Sequence, residues 1–361
     1  MIAAGMQSQD GHMSEPLPAA SPILVTGSKG FVGSVVVREL LQRGFTNIRC
    51  FARTPAGNDK LAELGRKFPA ARLDVVHGNL LLPDDCRRAA DGAVLVYHLA
   101  AGTGKSFPGC VLDSAVATRN LLDALAGSQT LKRFVNVGSF SVYSNATLRR
   151  GAVLDESCPV ERAYTARFDA YAYGKTKQDD VVAEYGAKHG VPYTILRPGV
   201  VFGPGRGGSI LGRCGIDTFG FFMHVTGRFP IPLTYVDNCA QAIVLAGLAE
   251  GIDREVFNIV DDDLPSSSRL LRLTKRNLGR FFSVRVPYPA CLAFSCAWEK
   301  YAAWSGNQLP PLFNRRMCAA YHKGNRYSNE KLKRLLGWSP AVPMDEALRR
   351  YFEYRRTAAA S

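Results

Sequence analysis

Pro22-Ile23-Leu24-Val25-Thr26-Gly27-Ser28-Lys29-Gly30-Phe31-Val32-Gly33 decides how the rest of the chain is read. Pro22 to Thr26 is a short apolar run with the composition of a buried strand. It passes directly into three glycines at GxxGxxG spacing, then into a helical pattern from Ser34 to Arg43 that stops at Gly44. Strand, glycine turn and helix in that order make a phosphate cradle. Gly27 permits the tight turn, Gly30 lets the backbone approach a pyrophosphate at the helix N-terminus, and Gly33 lets helix and strand pack closely. Phe31 and Val32 belong to the same turn. The competing reading is a glycine-rich turn with no ligand, and the strand-to-helix context argues against it.

The same alternation continues outward. Strands are expected at Asn47–Ala52, Arg72–His77, Ala93–His98, Phe134–Gly138 and Val191–Leu196, and helices at Asp59–Phe68, Val111–Ala126 and from near Tyr171 to Gly190. Strands that alternate with helices predict an α/β fold, a Rossmann-type doubly wound parallel sheet over residues 22–198. Residues 149–166 read as a loop. Gly203 to Gly215 is glycine-rich and opens a smaller C-terminal substrate-binding lobe, 199–361, from which a strand and a helix return to the sheet around 235–260. Later helices are expected at Leu270–Leu278, Ala290–Trp304, Asn329–Leu336 and Asp345–Tyr354. Residues 1–21 read as a disordered leader.

In an open parallel sheet the ligand crevice lies off the carboxyl ends of the strands. Three groups are expected there. Ser139 follows the Phe134–Gly138 strand and can donate to a substrate oxygen, with Ser141 as its competitor. Tyr171 and Lys175 stand four residues apart, so they share a helix face. A free phenol has a pKa near ~10, and a nearby ammonium favours the phenolate by about 1.4 kcal/mol per unit of lowering. Tyr173 is only two residues from Lys175 and points elsewhere. Arg53 ends the second strand, where this fold usually carries an acid for the ribose 2′-hydroxyl. A guanidinium suits a 2′-phosphate, which tilts the expected cofactor from NAD towards NADP. His98 reads as a structural neighbour rather than a catalyst. Arg206, Arg213 and Arg228 are the cations expected near the substrate mouth.

Composition narrows the class. The net charge of +14 comes without long basic runs interleaved with aromatics, so nucleic acid is not expected as a partner. Nine cysteines without a CxxC pair, and six histidines without ligand spacing, point to reduced thiols, a cytoplasmic setting and no metal site. No apolar run reaches the ~18 residues of a membrane span. Pro287 to Trp304 is the most apolar late stretch, and its Glu299 and Lys300 suit a packed or interfacial helix, compatible with peripheral membrane contact.

Taken together, the glycine loop, His98-Leu99-Ala100-Ala101, Val137-Gly138-Ser139-Phe140-Ser141-Val142-Tyr143, Tyr171 with Lys175, Leu196-Arg197-Pro198-Gly199, Phe202-Gly203-Pro204-Gly205, Tyr235-Val236-Asp237-Asn238 and Leu336-Gly337-Trp338-Ser339-Pro340 resemble the extended short-chain dehydrogenase/reductase family. That family includes NAD-dependent epimerases, dehydratases and sterol dehydrogenases, and the likeness covers about residues 22 to 350. The resemblance implies an NAD(P)-dependent enzyme with Ser139, Tyr171 and Lys175 in the catalytic roles. Lys175 would also bind the nicotinamide ribose and lower the pKa of Tyr171. It implies that Gly27, Gly30, Phe31, Val32, Gly33, Arg53, Asn79, Leu80, Leu99, Ala100, Ala101 and Pro198 contact the cofactor. Asn79 and Leu80 replace the family's usual Asp-Leu beside the adenine, and asparagine keeps an acceptor oxygen. A homodimer is implied by the same resemblance. Nucleotide-sugar members often carry an arginine before the Val-Asp corresponding to Val236-Asp237, where this chain reads Pro230-Ile231-Pro232-Leu233-Thr234. That departure, with the apolar residues Phe219, Phe221, Phe222 and Met223 of the second lobe, favours a dehydrogenase or reductase acting on a sterol-like or other lipophilic alcohol; the competing reading of these four is that they are simply core. A nucleotide-sugar epimerase or dehydratase is the alternative. A non-catalytic dinucleotide-binding regulator is the third reading.

Overall fold

Four consecutive residues of the first strand, Ile23–Thr26, have no face to water. Only a strand with helices on both sides is buried so evenly. In the computed structural model, which describes residues 17–54, 59–104, 106–206, 209–218, 220–225, 227–306 and 308–360, this strand lies inside a seven-stranded parallel sheet. Its strands are β1 (Ile23–Thr26), β2 (Asn47–Ala52), β3 (Arg72–His77), β4 (Leu95–His98), β5 (Arg133–Val137), β6 (Tyr193–Pro198) and β7 (Val256–Ile259), in spatial order β7-β6-β5-β4-β1-β2-β3. The order reverses between β1 and β4, and Thr26 stands level with Phe51 on one side and His98 on the other.

Two apolar layers cover the sheet. On one face Val36, Val37 and Leu40 of the Gly33–Gln42 helix pack with Ala240, Ile243 and Val244 of the Val236–Leu248 helix. On the other, Leu121 and Leu122 meet Val181, Val182 and Tyr185. The helix expected from Val111 begins at Phe107, where Ser106 caps Gly109 N, and carries a π turn over Leu112–Val116 before running to Leu125.

Residues 17–21, expected to belong to a disordered leader, are ordered. Leu17 packs on the core, and Ala19 O accepts from Thr46 N at 2.8 Å, so residues 17–21 are held against the sheet edge. Residues 1–16 lie outside the described residues.

The C-terminal lobe differs more. Just after the glycine-rich stretch, where no strand was expected, Gly215–Thr218 pairs antiparallel with Phe221–His224, which runs parallel to Ser283–Arg285. A further helix, Arg315–His322, starts on an Asn314 cap that accepts from Met317 N at 2.7 Å. More of the chain returns to the sheet than 235–260. Trp338, Tyr351 and Phe352 are buried in the same cluster as the Val236–Leu248 helix. Asn238 is the clasp: its side chain bonds Asp261 and both backbone groups of Val342, while its carbonyl accepts from Trp338 Nε1 at 3.2 Å. Trp338→Ala should therefore lower stability by about 3–5 kcal/mol, read as a lower urea midpoint for unfolding.

Candidate active site

The turn after β1 leaves no room for side chains. Gly27 sits at φ +67°, and a Cβ there would lie 2.9 Å from Ala100 N. A Cβ on Gly33 would meet Gly27 O at 2.1 Å. Two joined clefts run from this turn along the carboxyl edge of the sheet. The first, of about 420 Å³, is lined by Gly27, Gly30, Lys29, Arg53, Asn79, Leu80, Leu99, Ala100 and Ala101. The second, of about 530 Å³, shares Gly27, Gly30, Leu99 and Ala101 and is completed by Phe31, Val32, Gly33, Ser139, Tyr171, Lys175 and Pro198. Ser139, Tyr171, Lys175 and the residues expected to contact the cofactor thus all line one continuous crevice of a size that suits a ligand. Bare backbone at the glycines, with a helix N-terminus behind it, fits the pyrophosphate of a dinucleotide.

At the Arg53 end two cations face the crevice. Lys29 Nζ donates to Thr54 O, and Arg53 is paired with Asp113 at 3.1 Å while remaining largely exposed. The Asn79 side-chain oxygen, expected to serve the adenine amino group, accepts from Leu81 N at 3.1 Å within its own turn.

The other end is built on the Ala170–Lys188 helix. Asp169 caps it, accepting from Ala172 N at 3.0 Å, and so sets Tyr171 in the first turn. Ser139 stands two residues beyond β5 and caps a short 3-10 turn, its Oγ accepting from Ser141 N at 3.2 Å. Lys175 is buried. Its ammonium donates to Val137 O at 2.6 Å and to Gln178 Oε1 at 2.9 Å. Burial disfavours the charged form, and its pKa falls to about 8 although the nearby Asp179 carboxylate opposes the fall.

The expected acidification of Tyr171 by Lys175 is not found. Burial pushes the phenol above its ordinary value, and only hydrogen bonding with Ser139 and the Arg206 charge pull it down. The reason is geometric, because the ammonium points at the end of β5 and at Gln178.

Behind Lys175 runs a chain of polar contacts. Gln178 Nε2 donates to Thr118 Oγ1 at 3.0 Å, Thr118 Oγ1 donates to Ser114 O at 2.6 Å, and His98 Nε2 meets Thr118 Oγ1 at 2.8 Å. The Thr118 proton is already given to Ser114, so His98 must donate from Nε2 and accept from Thr26 Oγ1 at Nδ1, 2.7 Å away. Burial holds His98 neutral, with a pKa near 3. It cross-links β1, β4 and a helix, as a structural neighbour should. A second network, Asn136 and Arg197 on Asp179, ties β5 and β6 to the Ala170–Lys188 helix.

Several contributors escaped the sequence reading. Tyr321, on the unforeseen helix, lines the second cleft and donates to Asp169 at 3.3 Å. Gln178 and Asp169 carried no signal beyond their spacing from Lys175 and Tyr171. Arg206 and Arg213 do line the cleft, but Arg228 instead lies over the Phe229 ring. Phe222 is core, neither Phe221 nor Met223 lines the cleft, and Phe219 lies outside the described residues.

A model of the NAD dependent epimerase/dehydratase family matches residues 23–259. The chain belongs to this family. It is an NAD-dependent enzyme of the extended short-chain dehydrogenase/reductase type. Among relatives, a 3 beta-hydroxysteroid dehydrogenase/Delta 5-->4-isomerase of Mycobacterium tuberculosis is 28% identical over 360 residues, covering 92% of this chain and 90% of that one. A decarboxylating sterol-4-alpha-carboxylate 3-dehydrogenase of Mus musculus is 24% identical over 358 residues, 94% of this chain and 92% of that one. Cinnamoyl-CoA reductase 1 of Oryza sativa subsp. japonica is 31% identical over 184 residues, 50% of this chain and only about half, 54%, of the relative. In fold, the chain is similar to the UDP-glucuronic acid 4-epimerase of Bacillus cereus solved with UDP-glucuronic acid and NAD, at TM-score 0.70 and 21% identity over 93% of this chain and 99% of that one.

The family's buried lysine has a consequence for stability. Lys175 loses its proton near pH 8 in the folded chain and near its ordinary 10.5 when unfolded. Between those values the unfolded chain binds more protons, so the stability this residue governs rises with pH. Relative to wild type, Lys175→Met should have its largest advantage in urea midpoint at pH 8 and below, shrinking as pH rises towards 10.5.

Proposed function

We propose that the chain is an NAD(P)-dependent dehydrogenase/reductase acting at a secondary alcohol or ketone of a sterol-like or other lipophilic substrate. The observation that carries this reading is the convergence of Ser139, Tyr171 and Lys175 on the cleft that begins at the glycine loop. The glycine loop and Leu99 to Ala101 hold the dinucleotide, and Lys175 holds its nicotinamide-side ribose. When bound, the nicotinamide supplies or takes the hydride. Ser139 orients the substrate oxygen. Tyr171 exchanges a proton with that oxygen through its phenol. Burial holds the Tyr171 phenol above its ordinary value, so it is protonated at neutral pH and able to donate to a carbonyl oxygen.

Two observations bear on the substrate. Two relatives that align over more than nine-tenths of this chain, at 28% and 24% identity, are named for steroid and sterol substrates. Beside the cleft, and sharing Tyr321 with it, is a cavity of about 300 Å³ walled by Ile216, Leu312, Phe313 and Met317, which suits an apolar body. The second reading, a nucleotide-sugar epimerase, is favoured by Arg206 and Arg213 in the cleft, which could receive a diphosphate. Both guanidinium groups already bond backbone carbonyls, of Val201 and Ala320, and this weighs against that role. A dehydrogenase makes reduced nicotinamide in proportion to substrate, whereas an epimerase returns the hydride to the same molecule, so absorbance of reduced cofactor with sterol and nucleotide-sugar panels separates them.

Tyr171→Phe should leave cofactor affinity nearly intact and reduce turnover by ~10²–10⁴-fold, measured by steady-state kinetics beside cofactor titration. Arg53, with Lys29, is assigned to the 2′-phosphate of NADP. Arg53→Ala should raise the Kd for NADP more than that for NAD, and equal changes would remove Arg53 from that role.

A further inference from the structure

Among the described residues, thirteen large apolar side chains stand exposed, and nine of them fall between positions 278 and 312. Phe282 is 70% and Trp304 81% accessible. The Tyr288–Trp304 helix is turned inside out. Its inward positions are Cys291, Ser295 and Ala302. Its outward stripe is Ala290, Ala293, Phe294, Ala297, Tyr301 and Trp304, all exposed and without a charge. That spacing is one continuous helical face, and a face of that kind needs a cover.

Charge selects the cover. From 272 to 312 the chain carries Arg272, Lys275, Arg276, Arg280, Arg285 and Lys300 against a single acid, Glu299, which is paired with Arg315 at 2.6 Å. Arg280 and Arg285 bracket the exposed Phe281, Phe282 and Val284. A twofold contact between two copies would set this cationic patch against itself. An anionic bilayer neutralises the cations and accepts the aromatics at its interface. No helix among the described residues is long and apolar enough to cross a membrane.

We propose that this face of the C-terminal lobe docks the protein on an anionic phospholipid surface, with the Tyr288–Trp304 helix lying in the interfacial plane. The Arg280–Arg285 segment adds a second apolar contact flanked by cations. Leu312 connects the face to the interior: it is exposed, and it also lines the apolar cavity that shares Tyr321 with the catalytic cleft. A lipophilic molecule in the bilayer would therefore meet the apolar cavity from its Leu312 side. Docking itself stands on the stripe and its charge and does not depend on the substrate reading.

The test is co-sedimentation of the full chain with phosphatidylcholine vesicles with and without phosphatidylglycerol. Binding is expected with phosphatidylglycerol, weaker in high salt, and lost in the Phe282→Asp/Trp304→Asp double variant. Trp304 emission, isolated in a Trp298→Phe/Trp338→Phe background, should shift to the blue on binding. Circular dichroism and cofactor affinity of the double variant, unchanged from wild type, show that it is folded. Failure of the wild-type chain to bind phosphatidylglycerol vesicles overturns the proposal, as does undiminished binding by the folded double variant. A wild-type dimer that the double variant converts to monomer also overturns it, by assigning the face to a second copy.

Discussion

An ammonium kept almost entirely from water must be bonded on every side or lose its proton, and Lys175 satisfies this by reaching the last carbonyl of β5. That contact holds the Ala170–Lys188 helix against the sheet at the level of Ser139. Asp179, one turn further along, takes bonds from Asn136 and Arg197 and fastens the same helix to β5 and β6. The phenol of Tyr171 is placed because the residue four positions later is pinned. Buried charges of this kind are costly, and here they set geometry rather than add stability.

The second constraint is the absence of side chains at the turn after β1. The Gly33–Gln42 helix can start here because Gly33 has no Cβ to meet Gly27 O, which itself accepts from Gly30 N at 2.9 Å. The same closeness leaves the helix N-terminus and bare amides facing the crevice between β1 and β4. The reversal of strand order opens that crevice, and the buried lysine closes its far end with chemistry. Asn238, Asp261 and Trp338 then draw the C-terminal helices back onto the sheet.

Much of this was legible in the chain. The alternation from Pro22 to Pro198 located all seven strands of the sheet to within about two residues, once the returning strand near Val256 is included, and each proposed site residue lines the crevice. What was not legible depends on contacts between distant positions. The Arg315–His322 helix opens with two arginines, the reverse of what a helix N-terminus favours, and it is short, so its Tyr321 went unnoticed. The strands at Gly215–Thr218 and Phe221–His224 are brief and bounded by glycine, and one of their partners is some sixty residues away. Arg53 gave no sign of Asp113, which it meets only after folding. Helical spacing placed Lys175 beside Tyr171, yet spacing cannot say where a four-carbon stem delivers its charge.

One line of hydrogen bonds leads away from the lysine. Lys175 gives to Gln178, Gln178 to Thr118, and Thr118 to the Ser114 carbonyl, where the sequence of donors ends. An amide side chain does not readily surrender and recapture a proton, and a peptide oxygen does not pass one on. The inner wall is therefore an insulator, and a proton that reaches or leaves this lysine must use the side that opens to the crevice.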